Sequence, residues 1–114
     1  MTIKKLKIKK IPIHSLLYKI VVHQPAPGSL YQINKPISIE WDKNFGNYEF
    51  AHITVYNFNG IKIKGFTCSN TGISSWEPDS IYNSQSLYIE INSQDNKFSG
   101  KSGNFTILEL SQIL

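Results

Sequence analysis

The sequence predicts an all-β domain, a two-sheet antiparallel sandwich of about seven strands, and three observations carry that prediction. Apolar and polar residues alternate with a period of two from residue 18 onward. No window of helical length keeps an apolar stripe at i, i+3, i+4 and i+7. Turn signals built from Gly, Pro and Asn recur every eight to twelve residues, the spacing of a sandwich. With 114 residues, the chain holds one core and no second catalytic domain.

Tyr18–His23 reads as the first strand, ended by Gln24-Pro25-Ala26-Pro27-Gly28-Ser29, where two prolines remove ladder donors. Lys35-Pro36 opens the second, with Ile37, Ile39 and Trp41 on one face and Ser38 and Glu40 on the other. After the polar loop Asp42–Tyr48, Phe50–Tyr56 places Ile53 and Val55 inward, and His52, Thr54 and Tyr56 outward. Asn57-Phe58-Asn59-Gly60 forms a hairpin turn, Asn-Gly being the pair that best tolerates positive φ.

On the returning strand Ile61, Ile63 and Gly65 alternate with Lys62 and Lys64, and Cys68 falls in the loop that follows. Asn70-Thr71-Gly72 turns the chain into a short strand, Ser74–Trp76, which Pro78 stops. Leu87, Ile89 and Ile91 then alternate with Tyr88, Glu90 and Asn92, and Phe105 and Ile107 face inward on a last strand. The core expected from these patterns is Ile39, Trp41, Ile53, Val55, Ile89, Ile91, Phe105 and Ile107. Trp76 is open between core and surface platform.

The net charge of +4 is concentrated at one end: Lys4, Lys5, Lys7, Lys9 and Lys10 are five of the twelve lysines, and arginine is absent. Residues 11–114 carry seven lysines against eight acids, so the body of the domain is not basic. A nucleic-acid reader needs its positive charge on the folded face that meets phosphate, with Arg for bidentate base contacts, so nucleic acid is disfavoured. The five lysines read as a solvated electrostatic arm over residues 1–17, followed by the domain proper at 18–110 and a tail at 111–114.

The opening MTIKKLKIKKIPIHSLLYKIVV has the basic-then-apolar order of a secretory signal, but Pro12, His14 and Lys19 interrupt the apolar run. No stretch approaches the roughly 18 apolar residues of a membrane span.

Chemistry-bearing motifs fail on spacing. Ser99-Gly100-Lys101-Ser102 contains the Gly-Lys-Ser tail of a phosphate loop, yet Asp95 stands where the first Gly belongs. Phe105-Thr106-Ile107 then continues as a strand, where a phosphate site needs a helix start; SGKSGN reads as a loop between the last two strands. There is no Gly-x-Ser-x-Gly nucleophile elbow, and the eight acids are scattered. Cys68 is the only cysteine, and His14, His23 and His52 lack ligand spacing. The expectation is therefore a non-enzymatic protein with no catalytic residue, cofactor or metal site. Tyr56 and Tyr88, outward on their strands, and Phe58 in a turn are the candidate ligand contacts, because aromatic faces supply area at low entropy cost.

Pro25-x-Pro27-Gly28-Ser29, Pro36-Ile37-Ser38-Ile39-Glu40-Trp41, Ile53-Thr54-Val55-Tyr56, Asn70-Thr71-Gly72, Trp76-Glu77-Pro78, Ile89-Glu90-Ile91-Asn92-Ser93 and Ser99-Gly100-x-Ser102-x-x-Phe105-Thr106-Ile107 follow in a recognisable order. The series resembles the immunoglobulin-like N-terminal domain of the yeast cell-wall KRE/KNH proteins and the related Ser/Thr-rich glycosylphosphatidylinositol-anchored family. Tyr88 stands one place later than that family's usual strand tyrosine, whose position Leu87 occupies.

The resemblance implies an immunoglobulin-like, fibronectin type III-like sandwich serving as a binding or spacer module outside the cell or in its envelope, in contact with polysaccharide or protein. Two other classes are carried beside it. One is a structural assembly subunit that self-associates through strand edges and the alternating segment 3–11. The other is a basic arm docking on anionic membrane or nucleic acid.

Overall fold

The computed structural model describes residues 18–79, 82 and 85–109. The lysine arm and the tail at 111–114 lie outside them. Nine strands form in order: β1 (Val22–Gln24), β2 (Leu30–Gln32), β3 (Ile37–Trp41), β4 (Phe50–Asn57), β5 (Lys62–Ser69), β6 (Ile73–Trp76), β7 (Gln85–Ser93), β8 (Ser99–Lys101) and β9 (Phe105–Leu108). One sheet has the order β1-β3-β6; the other runs β2-β9-β7-β4-β5, with β8 also paired to β7. All pairs are antiparallel except β2 with β9.

Strict alternation is what buries the middle of the sandwich. Ile37, Ile39 and Trp41 of β3 face Ala51, Ile53 and Val55 of β4 and Leu87, Ile89 and Ile91 of β7. Phe105 and Ile107 of β9 complete this layer, and every residue of the expected core is buried. Trp76 is buried as well, its ring edge-on to Tyr82 at 5.4 Å, which resolves its role in favour of the core.

The structure departs from the expected elements in several places. The segment Tyr18–His23 divides between the sheets: Lys19 bridges to Ser99 and the Ile20 N–H donates to Ser99 O at 2.8 Å, whereas strand pairing with β3 starts only at Val22. Pro25 and Pro27 then mark a switch of sheet, after which the chain returns as β2, a strand not expected from the sequence.

At the β4–β5 hairpin, the Gly60 N–H donates to Asn57 O and the Asn57 N–H to Ile61 O, so the loop has three residues with only Gly60 at positive φ (78°). This is a type I turn followed by a left-handed residue, not a two-residue Asn-Gly turn. The register shift between Val55 and Tyr56 leaves Ile61 60% exposed, not inward. Cys68 lies within β5, opposite Ala51 and half-buried, because that strand runs on to Ser69.

SGKSGN is not a plain loop. Its first half is strand β8, and Ser102 carries the pairing across to β9: its N–H donates to Ile89 O at 2.8 Å and its Oγ accepts from the Ile89 N–H at 2.9 Å.

Candidate functional site

Tyr56 and Tyr88 are brought together as expected of directly opposed residues on β4 and β7. Their rings stack at 5.2 Å between centroids and 18° between planes. Lys101 Nζ sits 5.5 Å from the Tyr88 ring centroid, a cation–π contact. The Tyr56 hydroxyl donates to Glu90 Oε1 at 3.3 Å, and burial, followed by the Glu90 charge, pushes its phenol above the usual tyrosine range. Each ring therefore has a face covered by its neighbour, and the Tyr56 hydroxyl is engaged by Glu90.

Around the pair, the outer face of the larger sheet is polar and half-buried. Thr54 lies opposite Glu90, His52 opposite Asn92, and His52 Nδ1 is 2.8 Å from Thr67 Oγ1. A shallow depression of about 270 Å³ beside them is lined by His52, Thr54, Lys62, Gly65 and Thr67. Phe58, the third expected contact, is 69% exposed at the hairpin tip. It projects from the turn next to this face, on the loop that closes β4.

A second surface was not foreseen from the sequence. At the opposite end of β4, the β3–β4 loop (42–49) meets the β7–β8 loop (94–98). Gln94 Oε1 accepts from the Glu49 and Phe50 N–H groups, each at 3.0 Å, and the Tyr48 hydroxyl donates to Asp95 Oδ2 at 2.9 Å. Asp95 Oδ1 also accepts from Ser93 Oγ and the Lys97 N–H. Burial acts to raise the Asp95 pKa, but these donors outweigh it and hold the carboxyl below the usual aspartate value. The Tyr48 phenol is raised by burial and then by its bond to Asp95, so both shifts keep the proton on Tyr48.

Stitching these loops together assembles an aromatic cluster. Phe98 packs on Tyr18, Phe45 and Tyr48 with centroid distances of 5.2, 5.5 and 5.8 Å, and Phe45 stacks on Tyr48 at 5.6 Å. In front of it lies a cleft of about 470 Å³, lined by Lys19, Val21, Asp42, Asn44, Phe45 and Phe98. Loop residues have no periodicity to betray a shared face, and Phe45 and Phe98 meet only through the topology. Among the described residues, no group of three or more His, Cys, Asp or Glu could hold a metal ion. No helix there is long and apolar enough to cross a membrane.

The order β1-β3-β6 against β9-β7-β4-β5 is the A-B-E and G-F-C-C′ arrangement of an immunoglobulin-like sandwich, here with a stacked tyrosine pair on one sheet and a cleft among the loops at one end. A solved structure of the fibronectin(III)-like modules of CbhA from Clostridium thermocellum is similar to it, with a TM-score of 0.46 and 13% identity over 78% of this chain and 94% of that one. No family model matches the chain, and no curated protein matches it.

Proposed function

We propose that this chain is a non-enzymatic binding module of a cell-surface or envelope protein, engaging its partner through the outer face of the larger sheet. The observation that carries this reading is the Tyr56–Tyr88 stack, capped by Lys101 and tied to Glu90. Four side chains from three strands are thereby held in fixed positions on an otherwise flat face, so little side-chain entropy is lost on docking. Tyrosines stacked on one another leave less bare ring for the face of a pyranose and suit the polar surface of a protein better. A protein partner is accordingly preferred to polysaccharide on this face. The envelope setting follows from the KRE/KNH resemblance alone.

Pull-down of protein partners from envelope extracts tests the reading. Binding is expected, and replacing Tyr56→Ala together with Tyr88→Ala is expected to abolish it while circular dichroism stays that of a β-sandwich. Capture that is unchanged in the double variant overturns the assignment of this face.

A further inference from the structure

The loop-end cleft shares no residue with the tyrosine face, and its lining has a different character. One wall is aromatic: Phe45 and Phe98 are held in place from behind by Tyr18 and Tyr48. The other wall is polar. His23 Nε2 lies 2.7 Å from Asp42 Oδ1 and fixes that carboxylate, leaving Oδ2 without a hydrogen bond among the described residues. Lys19 Nζ and the Asn44 amide likewise make none there.

The loops that carry these groups are already braced by the Gln94, Asp95 and Asn70 hydrogen bonds, so the cleft exists before any ligand arrives. Its volume falls within the range of small-molecule clefts.

We infer that this cleft binds a neutral saccharide unit of an oligosaccharide chain. Lys19 and Asp42 place one positive and one negative charge in the lining, so there is no net field to select an anion or a cation. What the lining selects is a molecule with an apolar C–H face and a rim of groups that both donate and accept. Ligand hydroxyls donate to Asp42 Oδ2 and to the Asn44 carbonyl, and accept from Lys19 Nζ and the Asn44 NH2 group. The C–H face of the sugar ring lies against Phe45 and Phe98, where apolar area is removed from water.

The test titrates the full chain with cellohexaose, laminarihexaose, maltohexaose and mannohexaose as neutral probes and with hexagalacturonate as an anionic one, following backbone amide NMR shifts. Saturable shifts confined to residues 19–21, 42–48 and 94–98 are expected with at least one neutral probe. Asn44→Ala and Phe45→Ala are each expected to weaken that binding about tenfold or more.

Asn44 is exposed and makes no hydrogen bond among the described residues, so its variant keeps the test sound if Phe45→Ala disturbs the loop. Tyr56→Ala with Tyr88→Ala is expected to leave saccharide binding intact, which separates this site from the tyrosine face. The inference is overturned if none of the four neutral probes gives saturable shifts, if hexagalacturonate binds more tightly than all of them, or if Asn44→Ala binds as well as the wild type.

Discussion

Asn70 uses its whole amide. Its Oδ1 accepts from Trp41 Nε1–H at 2.9 Å, and its Nδ2 donates to Lys43 O at 3.3 Å and Tyr48 O at 3.2 Å. One side chain thus satisfies the only polar atom of a buried tryptophan and ties the β3–β4 loop to the sheet. Removing the ring by Trp41→Ala is expected to cost about 3–5 kcal/mol through lost burial and the cavity left behind. Asn70→Ala leaves the indole N–H without its acceptor and is expected to cost about 1–3 kcal/mol. The two touch, so chemical denaturation of the double variant should give less than the sum.

Asp95 acts at the same scale but through pH. Its folded-state pKa lies below its unfolded value, so the stability it contributes is present above the usual 3.8 and is lost as pH falls through the lower folded value. Thermal midpoints measured from pH 7 downward are expected to fall in that acid window for the wild type and to fall less for Asp95→Asn.

Cys68 makes a third case, because the sequence placed it in a loop, where a thiol would be reactive. In β5 burial raises its pKa, and alkylation at pH 8 is expected to be slower than for an exposed cysteine. Reductant is expected to leave the denaturation midpoint unchanged, since this is the chain's single cysteine and no intrachain disulfide exists.

Among the elements, the strands of four or more residues could be read from the sequence, whereas the three-residue ones were missed or misplaced. β3, β4 and β7 each bury one face against the opposite sheet, and a one-residue slip would expose their whole apolar set, so alternation is sharply written in them. β1, β2 and β8 have three residues each, too few for a period, and pair where the chain changes sheet or passes a gap. The outward positions of Tyr56 and Tyr88 were legible for the same reason as β4 and β7, though their stacking rests on the β4–β7 register. The Phe45–Phe98 cleft was not, because its aromatics come from loops more than 50 positions apart.

Gly100 belongs to this class of hidden constraint. A Cβ there would lie 1.8 Å from Ile20 O, a backbone atom that cannot step aside. Glycine is what lets the N-terminal segment run against β8, bringing Tyr18 onto Phe98 and Lys19 to the cleft. Gly100→Ala is expected to detach that segment, seen as faster hydrogen exchange of the Ile20 amide, whose bond to Ser99 O is 2.8 Å long in the native fold.

A whole sandwich of this kind has four sheet edges, and each offers unpaired backbone groups to another copy of the chain. β1 and β2 are short and flank Pro25 and Pro27, which limits the ladder they could extend. β5 carries exposed Lys62 and Lys64, and Lys64 pairs with the buried Val55, so its charge lies on the inner side of an edge strand.

β6 has neither charge nor proline among Ile73–Trp76, and Ile73 is 58% exposed. Its protection is a single hydroxyl. The Trp41 N–H bonds to Gly72 O, which makes Ile39 with Ser74 and Ile37 with Trp76 the hydrogen-bonded pairs and turns the Ile73 N–H and C=O toward the open edge. Thr71 Oγ1 donates to Ile73 O at 3.0 Å and accepts from the Ile73 N–H at 3.5 Å, occupying the backbone groups of one of the two residues, Ile73 and Ser75, that face this edge.

With every edge short, charged or partly capped, the domain is expected to sediment as a monomer at high protein concentration, which speaks for a contact module over an assembly subunit. Thr71→Val combined with Lys64→Val removes two of the guards while keeping β-branched residues in place, and is expected to introduce concentration-dependent association. Association of the wild type that does not rise in the double variant would mean that strand edges are not what holds the copies apart.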